Sequence, residues 1–216
     1  MSDDPYVDPD TDVLRNMRDI RDGDELEEFE ARLTFLRGLQ LASDLIPGEY
    51  DLAHLQAFHR YLFAGLYEWA GELRTVVLAK TELFCLPEHI ESYGTAILGK
   101  LAEEDRLRGL DRELFIDRLA HYLGDVDALH PFRDGNGRAQ RAFFAQLAAD
   151  ADYRLDWQLA DPQRNTGASV AASGLVGWPP LGKKSPKRPE MAPPPRRSPR
   201  SAPTDCCAPT GTGRRA

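Results

Sequence analysis

Residues 130–141 combine, in twelve positions, the side chains that a nucleotide-handling site requires. The segment contains a histidine, an aspartate, an asparagine between two glycines, and two arginines three residues apart. These are His130, Asp134, Gly135, Asn136, Gly137, Arg138 and Arg141. Glycine lets the backbone approach a phosphate closely, and the planar fork of an arginine matches phosphate oxygens. The spacing therefore predicts a site that holds a nucleoside triphosphate with its metal ion.

Each side chain of this run has a chemical role in such a site. His130 is expected to titrate near neutrality and to take a proton from a hydroxyl. Asp134 is a hard oxygen ligand of the kind that Mg²⁺ uses together with phosphate oxygens. A helix is predicted to begin at Gly137, and the free N–H groups at its N-terminal end favour anions. Arg138 and Arg141 lie on one face of that helix and can clamp neighbouring phosphates.

Each feature also has a simpler structural explanation. Asp-Gly-Asn-Gly is most often a surface turn, two arginines at this spacing usually form a solvated face, and a histidine before proline often caps a helix. These explanations are much weaker when all the features occur within one short segment. Phe132 is expected to pack inward and anchor the loop in either case.

The elements that must position this run are mostly helical. Apolar residues at helical spacing predict helices over 24–42, from about 52, from about 87, over 111–129 and over 137–150, with Asp51 as a plausible N-cap. Two short β-branched or aromatic stretches, 74–78 and 83–86, predict a small hairpin. The predicted fold class is mainly α, with one hairpin that rests on helices or covers a site.

The two ends of the chain differ from its body. Residues 1–23 are polar and contain Pro5 and Pro9, which predicts a flexible N-terminal arm. Residues 173–216 are rich in proline and arginine and are predicted to be disordered. This tail is interpreted either as a linker for an acidic partner or nucleic acid, or, more simply, as a segment without function such as a frameshifted end.

Charge and cysteine content narrow the class of protein. The net charge of the chain is −8. From Gly174 onward, nine Lys/Arg and two Asp/Glu give a charge of +7, so residues 1–173 carry about −15. An acidic body argues against direct nucleic-acid binding. The three cysteines suit neither a disulfide framework nor a metal site, and no signal peptide or membrane span is apparent, so we expect a cytoplasmic protein.

The run resembles the signature of the Fic family, His-x-Phe-x-Asp/Glu-Gly-Asn-Gly-Arg-x-x-Arg, at every fixed position. Residues 63–74 resemble the segment that leads into the flap of that family, and the hairpin resembles the flap itself. Asp156-Trp157 and residues 165–169 resemble its closing helix. The resemblance covers about 24–172 and implies a Fic-type helical bundle with a β-hairpin flap.

The resemblance also implies an activity: a protein adenylyltransferase that moves AMP from ATP to a Ser, Thr or Tyr hydroxyl. By resemblance, His130 would deprotonate the hydroxyl and Asp134 would hold Mg²⁺ between the α- and β-phosphates. Asn136 and the Gly135–Gly137 backbone would cradle phosphates, while Arg138 and Arg141 would hold the β- and γ-phosphates. Glycine at position 137 favours adenylylation, since a phosphorylating branch of the family carries lysine there. The flap residues expected to pair with a target strand are Thr75, Val76, Val77, Leu78 and Phe84.

Many members of the family carry an inhibitory helix, Ser/Thr-x-x-x-Glu-Gly/Asn, whose glutamate pairs with the second motif arginine. No glutamate of this chain precedes glycine or asparagine. The acidic stretch 25–30 is interpreted as a solvated helix face. By resemblance to bacterial Fic toxins, we therefore expect a small antitoxin that supplies the glutamate in trans, with topoisomerase subunits as candidate targets. Two alternatives remain open at this stage: a non-catalytic interaction module, and a Fic enzyme that transfers another phosphate-linked group.

Overall fold

Five α-helices make up most of the residues that the computed structural model describes, which are 4–41, 43–80, 83–157 and 191–192. The helices are α1 (Gly23–Leu41), α2 (Leu52–Phe63), α3 (Ile90–Glu103), α4 (Arg112–Leu129) and α5 (Asn136–Asp150). Short 3₁₀ turns occupy Pro87–His89 and Asp105–Leu107. A two-residue strand, β1 (Arg154–Leu155), pairs antiparallel with β2 (Met191–Ala192). The predicted mainly helical fold is confirmed.

Local sequence signals explain where two of the helices begin. The Asp51 carboxylate accepts a hydrogen bond from the backbone N–H of His54 at 2.8 Å, and this caps α2. Asp111 caps α4 in the same way through the N–H of Leu114 at 3.0 Å. These side chains satisfy N–H groups that the helix itself leaves without partners.

The core lies where α2 packs against α5 and where α4 packs against α3 and α5. Its centre is aromatic and aliphatic; fully buried members include Leu55, Phe58, Phe63, Phe115, Phe132, Phe143 and Phe144. Phe132 is therefore buried, as predicted, although it belongs to a loop. Its ring stacks on His59 with centroids 4.0 Å apart, which anchors the segment between α4 and α5 to α2.

The hairpin is less regular than the sequence suggested. Ala79 and Leu83 form a single antiparallel bridge, and the Phe84 N–H donates to the Leu78 carbonyl at 3.1 Å, while residues 81–82 lie outside the described part. The predicted small hairpin is present, and among the described residues its pairing consists of this bridge and this hydrogen bond.

Arg74 is buried and takes up the carbonyls that a β-ladder would need. Its guanidinium donates to the carbonyls of Val76 at 2.6 Å, Cys85 at 2.5 Å and His130 at 2.8 Å. Burial lowers the pKa of this guanidinium. The arginine thereby ties both arms of the hairpin to the end of α4.

The described part of the N-terminal arm lies against the helices. The Met17 N–H donates to the Leu66 carbonyl at 2.8 Å, and the Tyr6 ring meets the edge of Trp69 with centroids 5.4 Å apart. Asp4 pairs with Arg133 at 2.8 Å. Flexibility of the arm stays a prediction, but residues 4–22 do make specific contacts with the body.

The closing segment and the tail are described only in part. Trp157 donates from Nε1 to the Arg141 carbonyl at 3.1 Å, so the chain after β1 returns to α5. Met191–Ala192 falls within the segment predicted to be disordered, and the rest of that segment, like 165–169, lies outside the described residues. Within the part of the chain that is described, every helix is too short or too polar to cross a bilayer.

Candidate active site

The predicted site runs from the end of α4 through a short loop into the first turns of α5. α4 ends at Leu129, and His130 takes a left-handed conformation with φ 45° and ψ 62°. Asn136 starts α5, preceded by Gly135 with φ 74°. The Arg138 N–H donates to the Gly135 carbonyl at 3.1 Å, whereas the N–H groups of Asn136 and Gly137 have no hydrogen-bond partner among the described residues and are available to an anion.

Asn136 shapes this loop from inside. Its side-chain oxygen accepts from the Phe132 N–H at 2.9 Å, and its side-chain nitrogen donates to the Phe132 carbonyl at 2.8 Å. The side chain is buried, and both ends of the amide are used to close the turn. The phosphate-cradling role expected for Asn136 stays a prediction, and its backbone N–H at the start of α5 is the group that could fill it.

Gly135 is required by sterics as well as by its backbone angles. A Cβ at this position would lie 2.3 Å from Cζ of Phe63 and 3.2 Å from Nε2 of His59. A Cβ at position 137, in place of Gly137, would lie 3.2 Å from Nη1 of Arg141. The two glycines therefore let the turn sit tightly against α2 and leave room for an arginine.

His59 supports the loop from α2, and the sequence interpretation missed it. It is fully buried, donates from Nε2 to the Asp134 carbonyl at 3.0 Å and accepts at Nδ1 from the Gly71 N–H at 2.8 Å. Its ring stacks on Phe132 at 4.0 Å. Burial lowers its pKa to about 4, so it stays neutral. Its position four residues after Leu55, on the apolar side of α2, was the available signal.

His130 lies in a more apolar place than the sequence suggested. Its ring stacks on Phe84 with centroids 3.8 Å apart and an interplanar angle of 11°. Burial, followed by the positive charge of Lys80, lowers its pKa to about 4, although the Asp127 backbone opposes this. The predicted titration near neutrality is therefore wrong. At pH 7 the imidazole is neutral and can accept a proton.

Asp134 is the carboxylate of the site. Its side chain is 45% exposed, and Oδ1 accepts from the Gly135 N–H while lying 3.7 Å from Nη2 of Arg138. Across the described residues, no cluster of three or more His, Cys, Asp or Glu side chains could hold a metal. A single accessible carboxylate fits Mg²⁺ that arrives with phosphate oxygens and retains waters.

The two motif arginines have different surroundings. Arg138 forms an ion pair through Nη2 with Glu30 of α1 and lies over the Phe63 ring at 5.0 Å. Arg141 has no carboxylate within 4 Å in the described part of the chain, and burial together with Arg138 lowers its pKa. Arg141 is therefore the cation of the loop that most needs an external anion.

Glu30 corrects the interpretation of the acidic helix. Glu25, Glu27 and Glu28 are exposed, as a solvated face requires. Glu30 is only 6% exposed and points into the protein toward Arg138. It follows Leu26 by four residues, so it shares the buried side of α1.

A cleft of about 340 Å³ joins the predicted residues. Its lining contains every predicted catalytic and nucleotide-binding residue, namely His130, Asp134, Gly135, Asn136, Gly137, Arg138 and Arg141. Two cations that were not predicted for the site, Lys80 and Arg133, also line it. The volume suits a small ligand.

The five predicted flap residues have different surroundings, and their pairing with a target strand stays a prediction. The Val76 carbonyl accepts a hydrogen bond from Arg74. Leu78 and Phe84 line the cleft, and Phe84, only 5% exposed, covers His130. Val77 is 57% exposed. Thr75 faces a second cavity, of about 680 Å³, between the N-terminal arm and Trp69.

Comparison with known proteins agrees with this geometry. The model of the Fic/DOC family matches residues 49–148. The protein adenylyltransferase VbhT of Bartonella schoenbuchensis is 43% identical over 170 residues, a match that covers 78% of this chain and 36% of VbhT. "Probable protein adenylyltransferase Fic" of Escherichia coli is 42% identical over 156 residues, covering 72% of this chain and 77% of that protein.

Solved structures show the same fold. The N-terminal Fic domain of a VirB-translocated Bep effector protein from Bartonella quintana, crystallised with bound ADP, is 28% identical with a TM-score of 0.72. That match covers 78% of this chain and 86% of the domain. The chain spans about a third of VbhT but more than three quarters of the Escherichia coli protein. By motif, fold and sequence identity, this chain belongs to the Fic/DOC family.

Proposed function

We propose that the protein transfers AMP from ATP to a hydroxyl side chain of a target protein. The observation that carries this proposal is one cleft where four features meet: a neutral histidine, an accessible carboxylate, a helix N-terminus, and an arginine that no carboxylate pairs with in the described part of the chain. The names of relatives at about 40% identity confirm the predicted enzyme class, protein adenylyltransferase. ADP bound to the Bartonella quintana domain supports ATP as the substrate.

The residues suggest the following chemistry. The target hydroxyl gives its proton to the neutral imidazole of His130 as its oxygen attacks the α-phosphorus of ATP. The bond from that phosphorus to the bridging oxygen breaks, and pyrophosphate leaves. The N–H groups at the start of α5, with Arg138 and Arg141, stabilise the charge that grows on the leaving group. Mg²⁺ held through Asp134 would neutralise phosphate charge.

The target would dock at the hairpin. Val77 and Leu83 are exposed apolar side chains on either side of its turn, at 57% and 52% exposure. Because the ladder is reduced to a single bridge, part of the hairpin backbone is available to an added strand. Leu78 lies in the same cleft as His130, so a strand paired here would bring its hydroxyl close to the base. Topoisomerase subunits are the first targets to test.

A toxin restrained by an antitoxin is the physiological role that we propose, in the cytoplasm, where ATP and such targets occur. Arg141 supports it, because this partly buried guanidinium would accept a carboxylate from another protein as readily as a phosphate. Titration with a candidate protein encoded next to this one should abolish transfer. Undiminished transfer at excess would contradict the role.

The decisive experiment follows labelled ATP in a bacterial lysate. With Mg²⁺ present, label at the α-phosphate should appear on a target protein and label at the γ-phosphate should not. His130→Ala should abolish transfer. His89→Ala, an exposed histidine outside the cleft, should not affect it.

Other outcomes decide between the alternatives. Transfer of the γ-label would indicate phosphorylation. If the wild-type protein binds a partner but transfers no label, the interaction module would be the correct interpretation.

A further inference from the structure

Glu30 is a buried carboxylate on α1 that lies far from the motif in sequence and touches it in space. Its Oε1 pairs with Nη2 of Arg138, and its Oε2 accepts a hydrogen bond from the Tyr67 hydroxyl. Both Glu30 and Tyr67 are buried. The two oxygens of the carboxylate are thus both used, one by the arginine and one by the tyrosine.

We infer that Glu30, held by Tyr67, is a positioning residue that fixes Arg138 for its contact with the nucleotide phosphates. The inference rests on the proposed ATP site. An arginine has five N–H donors, and the Glu30 and Asp134 contacts both use Nη2. Among the described residues, Nε and Nη1 have no carboxylate partner, which leaves them for phosphate oxygens.

Three contacts hold the guanidinium in one place. Glu30 pairs with it on one side, Phe63 presents its ring face at 5.0 Å, and Asp134 Oδ1 lies 3.7 Å away. A side chain that is already ordered loses less freedom when it binds a ligand. Arg141 has no comparable ion pair among the described residues, so the two arginines differ: Arg138 is positioned in advance, and Arg141 is free to find its anion.

The surroundings of Glu30 also argue for a specific role. Burial raises its pKa, and Arg138 and then Tyr67 act in the opposite direction. A buried charge is unfavourable unless it is paired, and an apolar side chain in its place would often be as stable. The neighbouring Glu25, Glu27 and Glu28 are all exposed. A carboxylate turned inward onto a motif arginine fits positioning better than general stability.

The test compares Glu30→Gln with Glu27→Gln, which removes the same charge from an exposed position of the same helix. Calorimetry with Mg²⁺ should show that Glu30→Gln weakens binding of ATP and ADP by about 10-fold, since an ion pair with Arg138 is lost. AMP lacks the phosphates that Arg138 would hold, so its binding should not change. Glu27→Gln should match the wild type throughout.

A double variant tests whether Glu30 acts on nucleotide binding through Arg138. In Arg138→Ala protein, Glu30→Gln should cause no further loss of ATP affinity. Three results would each overturn the inference. In the Arg138→Ala protein, Glu30→Gln could lower ATP affinity as much as it does in the wild type. The Glu30→Gln single variant could bind ATP with unchanged affinity, or more tightly than the wild type. Tighter binding would mean that Glu30 competes with phosphate.

An NMR measurement separates this inference from the proposed function. The Nε–H resonance of Arg138 should be distinct and slow to exchange in the wild type and in Glu27→Gln, and averaged in Glu30→Gln, without any nucleotide. If the wild type binds no ATP, the proposed function fails, while the resonance still decides whether Glu30 orders Arg138. An unchanged resonance in folded Glu30→Gln would refute the positioning role.

Discussion

Replacing Gly135 by alanine tests whether the anion-binding turn depends on a close approach to α2. Its φ of 74° is left-handed, which costs a residue with a Cβ about 1–2 kcal/mol. The added Cβ would also lie 2.3 Å from Cζ of Phe63, a fully buried ring that cannot withdraw into solvent, and overpacking of this kind costs about 1–3 kcal/mol. We expect Gly135→Ala to lower the free energy of unfolding by about 2–5 kcal/mol, the sum of the two effects.

Gly99 provides a control of opposite sign. It lies within α3 with nothing within 4 Å of the position a Cβ would take, so Gly99→Ala should raise the free energy of unfolding by about 0.5–1 kcal/mol. Urea unfolding of both variants measures the two changes. A Gly135→Ala loss below about 1 kcal/mol would refute the argument, because neither the strain nor the clash would then be present. A displaced Phe63 should also weaken nucleotide binding, since this ring lies under Arg138.

Two further predictions concern pH. Because burial lowers the pKa of His130 to about 4, kcat/KM should fall only as the pH drops through about 4 to 5, and not near 6.5, the pKa of a free histidine. Phe84→Ala exposes the ring and should move this fall in kcat/KM to higher pH. A fall near pH 6.5 in the wild type would contradict the assigned burial. The free energy of unfolding should be highest above pH 6.5 and fall as the pH drops from 6.5 toward 4. The reason is that His59 and His130 bind protons in this range in the unfolded chain but stay neutral in the folded protein. This loss is about 3 kcal/mol for each histidine at pH 4, and urea midpoints that stay constant between pH 7 and 5 would contradict it.

The sequence alone determined the composition and order of the site. The motif residues lie within a dozen positions, from the end of α4 into the first turns of α5, so chain connectivity alone keeps them close together. The caps at Asp51 and Asp111 are equally local, because a side chain and an N–H three residues later need only helical geometry. For these features, periodicity and spacing were sufficient.

The tertiary structure decided which groups surround the site and in which charge state they act. Glu30 looked like its exposed neighbours, since a row of acidic residues does not reveal which one the packing of α1 turns inward. The pKa of His130 depends on Phe84 and Lys80, which only the folded hairpin brings to it. Arg74 is buried and donates hydrogen bonds to carbonyls from both arms of the hairpin, which the sequence did not indicate. Burial and long-range pairing depend on packing between distant segments, so they lie beyond local sequence patterns.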